Sequence, residues 1–498
     1  MNLKTIFANN KTIYIFLVLF TFLIMLNSSY NPLHFTRMNV DSSVYVTIAQ
    51  GIVNGKLPYA DMPDNKGPLL YLINAAGWKV GGFNGIWFIE FLFMCITVFF
   101  MYKTALFFGD RFKALLGTVF CLFILNSFMH VNAGTESYSM PFLMISIYIF
   151  TKFYLLPEQK VNFLQLILLG FCFTAAIMIR INVFPLWAGF CAVIFFECII
   201  KKRFLLLDKY ILGFCLGILI VGIPIFLYLS LNGIIDDFFL HVIFGGVSRG
   251  FGGGGLKEIL QNFFIVLSRH FSIIPFIIGI YWIITMFKHD NFLFYFGFFL
   301  SCFLMFLFHS FSSTLTHSSA IMIPFFVPAI TFLIGVIYSA FSQRKYKKTL
   351  TIIFFCLLFS DPIVNCLYDA SKTFRSNSDT ISGIYLINAG KMIDAHTKPG
   401  DKIISLGANA YIYPFTKREP VSKYFFQTGS FNFIRDSRDE FISDVLTNKP
   451  SIIALYTADD ENNHAFINSY WHDPILQLIE TDYHVLSDEN GFLLWIRN

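Results

Sequence analysis

Apolar runs of roughly twenty residues recur along most of this chain, and that repetition excludes nearly every soluble fold before any motif is read. A helix needs about 20 apolar residues to cross a hydrocarbon core about 30 Å thick. About eleven such runs are present, centred near Val18, Cys95, Leu122, Ile147, Leu168, Val193, Leu219, Ile280, Leu300, Thr331 and Phe355. Hydrophobic residues make up 56% of the chain and charged residues only 13%, a balance no soluble globular chain carries. The fold class is therefore a polytopic α-helical membrane protein. The 64 phenylalanines fit lipid-facing helices and imply no cofactor.

Orientation follows from the basic residues, which are retained on the cytoplasmic side of short connections. Lys4, Lys11, Lys103, Arg111, Lys113, Lys160, Lys201, Lys202, Arg203, Lys209, Lys288, Arg344, Lys345, Lys347 and Lys348 all fall on one face if the amino terminus is cytoplasmic. Residues 30–83, the turn near Glu136, the glycine-rich loop near Gly252 and the tail then lie outside. The first apolar run lacks a small-residue cleavage pattern and is read as a retained helix, a signal peptide being the alternative. All nine cysteines lie in or near apolar runs, so neither a disulfide framework nor a cysteine-ligated metal is expected.

The composition changes after Asp369, where polar residues return. The segments at 402–407, 450–457 and 491–498 read as strands, and TISGIYLINAGKMIDAH and RDEFISDVLTN have helical periodicity. Two units are expected: a membrane domain over 1–369, with its first external loop at 30–83, and a small extracytoplasmic α/β domain over 370–498. The tail has no phosphate-loop or dinucleotide fingerprint, which favours a structural or acceptor-recognising module.

The external loop concentrates charge that would be costly in lipid. Val40, Val44, Ile48 and Ile52 recur every four residues and predict a short interfacial helix opened by Asp41. Asp41 suits a helix cap, or a carboxylate held at the membrane surface. Farther on, Pro68 predicts a second helix start, with Asp61, Asp64 and Lys66 in the turn ahead of it, where amides can bind an anion.

The loop acid followed by Y-x-x-I-A-x-G-I, G-K-x-P-Y and D-N-K-G-P-L-L-Y-L resembles the first external loop of GT-C membrane glycosyltransferases, among them the protein O-mannosyltransferases and lipid A aminoarabinose transferases. The resemblance puts the loop acid at Asp41 and the K-P-P-L motif at Lys66 to Leu69, with Gly67 in place of the first proline. GTESYSMPF with Glu136, IMIRINVFPLW with Arg180, THSSAIMIPFFVPA with His317 and the tail segment TKPGDKIISLG extend it as short motifs.

What the resemblance implies is transfer of one sugar from a polyprenyl-phosphate-linked donor to an acceptor hydroxyl on a cell-surface glycan, lipid or protein. The place is the external face of a bacterial cytoplasmic membrane. Such a reaction needs a base for the hydroxyl proton and cations for the departing phosphate. Asp41 is the candidate base; Lys66, Arg180 and His317 are candidates for the phosphate. Tyr59, Asp61, Asp64, Glu136, His241 and Arg249 are candidate supporting residues. Arg180 can also snorkel from a helix end, Glu136 can cap its helix, and His317 can be a polar interface residue. His241 and Arg249 flank a glycine-rich segment that is either an external flap or a flexible connection.

No metal is implied, although Asp61 and Asp64 leave a divalent ion open. Membrane lipid is an expected partner and nucleic acid is not. A lipid-linked polysaccharide ligase or polymerase, or a lipid or glycan transporter, is the alternative. The transporter would call for internal repeats and charges at mid-membrane, and the ligase for a large late external loop.

Overall fold

The computed structural model describes residues 10–28, 30–33, 38, 40–129, 134–156, 162–245, 261, 281, 284–285, 291–312, 317–374, 381–407, 410–427, 436–457, 473–489 and 491–498. Helices dominate up to residue 374: α1 (Asn10–Met25), α2 (Val40–Val53), α3 (Pro68–Ala105), α4 (Arg111–Met129), α5 (Thr135–Leu155), α6 (Phe163–Ile177), α7 (Pro185–Ile200), α8 (Phe204–Leu231), α9 (Phe292–Ser312), α10 (Ile323–Ala340), α11 (Lys347–Leu358) and α12 (Ser360–Phe374). Among the described residues, seven helices are long and apolar enough to cross a membrane. The pair α11 and α12, bent by 73°, makes an eighth if counted as one span, and α1 and α6 are shorter apolar helices. The chain is a multi-pass membrane protein. Each expected centre falls in one of these helices except that near Ile280, which lies outside the described residues.

Local chemistry accounts for several boundaries. Asn162 accepts from the Gln165 amide at 2.8 Å while the Gln165 side chain accepts from the Asn162 amide at 3.2 Å, a capping box that starts α6. Pro68 stands at the first turn of α3, where its missing N–H costs nothing. α3 breaks at Gly82, whose φ of 56° and ψ of −133° suit only glycine. The break separates the expected second loop helix from the span that follows. α6 and α8 pack closely because Gly170 and Gly217 face backbone with no room for a Cβ.

The basic residues gather at one end of this bundle. Lys113 and Lys347 lie 5.3 and 4.9 Å from the Tyr338 ring centre, and Lys348 lies 5.1 Å from that of Phe112. These residues sit where α4 and α11 start and α10 ends, whereas the candidate site residues stand at the opposite helix ends.

The tail forms a five-stranded mixed sheet in the order β2-β1-β3-β5-β4. Its strands are β1 (Lys402–Leu406), β2 (Glu419–Pro420), β3 (Ile452–Tyr456), β4 (Tyr483–Glu489) and β5 (Phe492–Arg497). β1 runs parallel to β2 and β3, and β5 antiparallel to β3 and β4. The three expected strands are β1, β3 and β5; β2 and β4 were not anticipated. Successive residues alternate between faces. Ile404, Ile453 and Leu455 pack with Phe441 and Val445 of α14 (Ser437–Asn448) and Ile475 of α15 (Asp473–Asp482). Ile403, Ile452 and Ala454 join Leu386, Ala389 and Ile393 of α13 (Ile381–His396) in the core continuous with the membrane helices.

α2 is present where expected, but it is enclosed on more than its apolar stripe: Ser42, Ser43, Tyr45, Val46 and Thr47 are buried as well. Tyr45 packs on Tyr71 of α3, ring centres 6.3 Å apart, and the tail closes over Ser43 and Thr47. The Ala410 amide donates to Ser43 Oγ at 3.0 Å, Lys56 and Glu419 pair at 3.2 Å, and the Phe83 and Phe415 rings stack at 5.3 Å.

Candidate active site

The turn carrying Lys66 is fastened to the break between α6 and α7. The Gly67 amide donates to the Ile179 carbonyl at 3.2 Å and the Leu69 amide to that of Met178 at 3.0 Å. Gly67 has an ordinary extended backbone, φ −68° and ψ 151°, so space rather than dihedral angle demands glycine: a Cβ would overlap the Met178 carbonyl. Proline here would add that clash and lose the amide, which accounts for Gly67 in this chain. Gly67→Ala should lower stability by about 1–3 kcal/mol, because the turn must move away from the segment that ends in Arg180. Thermal unfolding of the variant measures the loss, and an unchanged melting temperature would show that the turn tolerates a side chain there.

Arg180 ends the segment to which that turn is bound. Its guanidinium is nearly buried, pairs with Glu136 and donates to Thr135 Oγ1 at 3.2 Å. Glu136 stands in the first turn of α5, where a carboxylate also complements the helix dipole, and Thr135 Oγ1 donates to it at 2.8 Å. Burial pushes the Arg180 guanidinium down to about 10, opposed by Tyr45 and Asp41, so it stays cationic at neutral pH. Asp41 and Tyr45 are one helical turn apart on α2. α2 therefore presents Asp41, which is exposed, within electrostatic reach of Arg180.

A second set of contacts shapes the turn itself. Tyr59, with φ 70°, is buried and donates its hydroxyl to the Lys66 carbonyl at 2.8 Å. The Tyr71 hydroxyl donates to Asp64 Oδ2 at 2.6 Å and accepts from the Lys66 amide at 3.2 Å. The Lys66 side chain is half-buried. Asp61 is exposed and accepts from the Leu57 amide at 2.8 Å. The two carboxylates thus hold different parts of the loop. Among the described residues, no group of three or more His, Cys, Asp or Glu is placed to hold a metal ion.

The His241 ring lies parallel to that of Tyr59, centres 6.3 Å apart. Burial lowers its pKa below 6.5, against the opposing charges of Asp237 and Asp64. A depressed folded-state pKa makes neutral His241 a stabilising group above pH 6.5, and that contribution is lost as pH falls from 6.5 through the lowered value. The melting temperature of the chain in detergent should therefore drop between pH 7.5 and 5, and His241→Gln should flatten that drop. An identical slope in the variant would rule His241 out as its source.

His317 opens a short 3-10 helix, His317–Met322, and its side chain lies outside the described residues, as does Arg249. Three residues near the site were missed by sequence reasoning. Glu90 is fully buried in α3, with Ser28 Oγ donating to it at 3.5 Å. An acid inside an apolar run was the available signal. Tyr71 lies within the D-N-K-G-P-L-L-Y-L motif and takes its role from Lys66 and Asp64, five and seven residues back, whereas Lys423 carried no signal, since its role comes from a segment far along the chain.

The whole backbone is similar to two solved structures of ArnT from Cupriavidus metallidurans. The one bound to undecaprenyl phosphate has a TM-score of 0.63 at 11% identity, covering 97% of each chain. The one in the apo state has a TM-score of 0.59 at 12% identity, covering 97% of this chain and 96% of that one. The chain has the GT-C fold. The same GT-C architecture occurs in the oligosaccharyltransferase AglB of Archaeoglobus fulgidus, solved with an inhibitory peptide and a dolichol-phosphate. It matches with a TM-score of 0.53 at 12% identity, over 98% of this chain and 74% of that one. No protein-family model matches the sequence, and no curated protein is significantly similar to it.

Proposed function

We propose that this GT-C protein is an integral-membrane glycosyltransferase that moves a single sugar from a polyprenyl-phosphate-linked donor to an acceptor hydroxyl, with inversion. The observation that carries the reading is the attachment of the Lys66 turn to the segment that ends in Arg180, through the hydrogen bonds of Gly67 and Leu69 to Ile179 and Met178, with Asp41 within electrostatic reach of Arg180. That two GT-C neighbours were solved with undecaprenyl phosphate and dolichol-phosphate supports the donor class.

In the proposed reaction an Asp41 carboxylate oxygen takes the proton of the acceptor hydroxyl as the acceptor oxygen attacks the anomeric carbon. The bond from that carbon to the phosphate oxygen breaks, and its electron pair leaves with the phosphate. Lys66 and Arg180 stabilise the charge that develops there, and His317 is assigned to the same phosphate. Tyr59, Asp64 and His241 hold the Lys66 turn, and Glu136 holds Arg180.

The location belongs to the same proposal. Gathering of lysines and arginines at the bundle end opposite Asp41 and Glu136 supports a cytoplasmic basic end and an active site on the outer face of a bacterial cytoplasmic membrane. The membrane unit is taken as 1–369 and the outer unit as 370–498. The deciding experiment is transfer from a polyprenyl-phosphate-linked sugar by the purified chain in proteoliposomes. Product formation supports the reading, and its absence across a panel of such donors removes it.

A further inference from the structure

The first external loop and the tail enclose a polar cleft of about 460 Å³, within the usual range for a ligand site. Five cations line it, Lys56, Lys402, Lys417, Arg418 and Lys423, against the carboxylates of Asp61 and Glu419. Three of the cations are engaged: Lys56 pairs with Glu419 at 3.2 Å, Arg418 with Asp394 at 3.6 Å and Lys423 with Glu440 at 2.7 Å. Lys402 and Lys417 are exposed, and among the described residues neither takes part in an ion pair. Sheet register explains their nearness, because Lys402 opens β1 directly opposite Glu419 of β2, two residues beyond Lys417. From the facing wall, α2 and the turn after it contribute Gln50 and Asn54.

This is the lining a charged carbohydrate requires: ammonium groups for an anion, and amides that both donate to and accept from hydroxyls. The cleft is also linked to the proposed site. The charge of Lys423 acts on His241, whose ring lies on Tyr59, whose hydroxyl holds the Lys66 carbonyl at 2.8 Å.

We propose that this cleft binds the acceptor as a glycan segment bearing phosphate or carboxylate groups, seated on Lys402 and Lys417. The inference rests on the glycosyltransferase reading and names the chemical class of its acceptor.

The test uses the full chain in phosphatidylcholine nanodiscs, a labelled hexamer of glycerol phosphate as probe and maltohexaose as the neutral control. The hexamer should bind and maltohexaose should not. The pair K402E/K417E should weaken hexamer binding about tenfold, screened surface charges being worth little singly but adding here. K402Q/K417Q should weaken it less, which separates loss of charge from loss of fold. Unchanged affinity in both variants, or equal binding of maltohexaose, would overturn the proposal. Displacement of the hexamer by added phosphatidylglycerol would assign the cleft to a lipid headgroup, and overturn it too. Thermal stabilisation by undecaprenyl phosphate reads the donor side separately: its absence from the wild type would remove the transferase reading, whatever the cleft binds.

Discussion

Asp41→Asn should lower kcat for sugar transfer about 10²- to 10⁴-fold, the usual weight of a positioned general base, with the donor KM little changed. The side chain is exposed in the first turn of α2, and the amide keeps its shape. The structural cost is then confined to a lost first-turn charge, about 0.3–1 kcal/mol. Thermal unfolding close to that of the wild type, together with single-turnover transfer from a polyprenyl-phosphate-linked sugar, separates chemistry from folding. A variant that folds and transfers at the wild-type rate would remove Asp41 as the base and leave that role to another group.

The pair formed by Arg180 and Glu136 should give the second large effect. Both side chains are about nine-tenths buried, 11% and 9% exposed. Removing one partner leaves the other charge in a poorly solvated place, a loss of about 3–5 kcal/mol. Arg180→Met and Glu136→Gln should each destabilise on that scale. The double variant R180M/E136Q should regain most of the stability, because the two sites share one interaction and their effects are not additive. Transfer should nonetheless stay low in the double variant, since the cation proposed for the departing phosphate is gone. Activity recovered along with stability would make the pair scaffold only, and the phosphate would then fall to Lys66 and His317.

Much of the architecture was legible because membrane helices are specified by runs of adjacent residues. Pro68 at the first turn of α3 and the short apolar strand runs of β1, β3 and β5 are local signals of the same kind. The candidate site was legible only in part. Tyr45, Ser43 and Thr47 look like the polar side of an amphipathic helix. Ser43 and Thr47 are buried where residues near Ala410 close over them, 367 and 363 residues distant in sequence, and Tyr45 where it packs on Tyr71. β2, two residues long, has no periodicity to detect and forms by pairing with β1.

The division of labour among the loop carboxylates shows the same limit. Asp61 and Asp64 are three residues apart and alike in composition, yet Asp61 holds the Leu57 amide and Asp64 the Tyr71 hydroxyl. Nothing in the loop's own pattern separates them, because Tyr71 belongs to the helix that follows. The sequence likewise marked Glu136 and Arg180 as separate charges near helix ends, and the structure makes them partners.

By itself, then, the sequence determined the membrane-spanning character, most helices and the loop that carries Asp41 and Lys66, since hydropathy and turn chemistry act over a few neighbouring residues. The tertiary structure alone decided that Arg180 pairs with Glu136 within electrostatic reach of Asp41, that Gly67 must be glycine and that the tail builds a cationic cleft against the loop. Burial and Coulomb interactions depend on which segments pack together, and those segments are far apart along the chain.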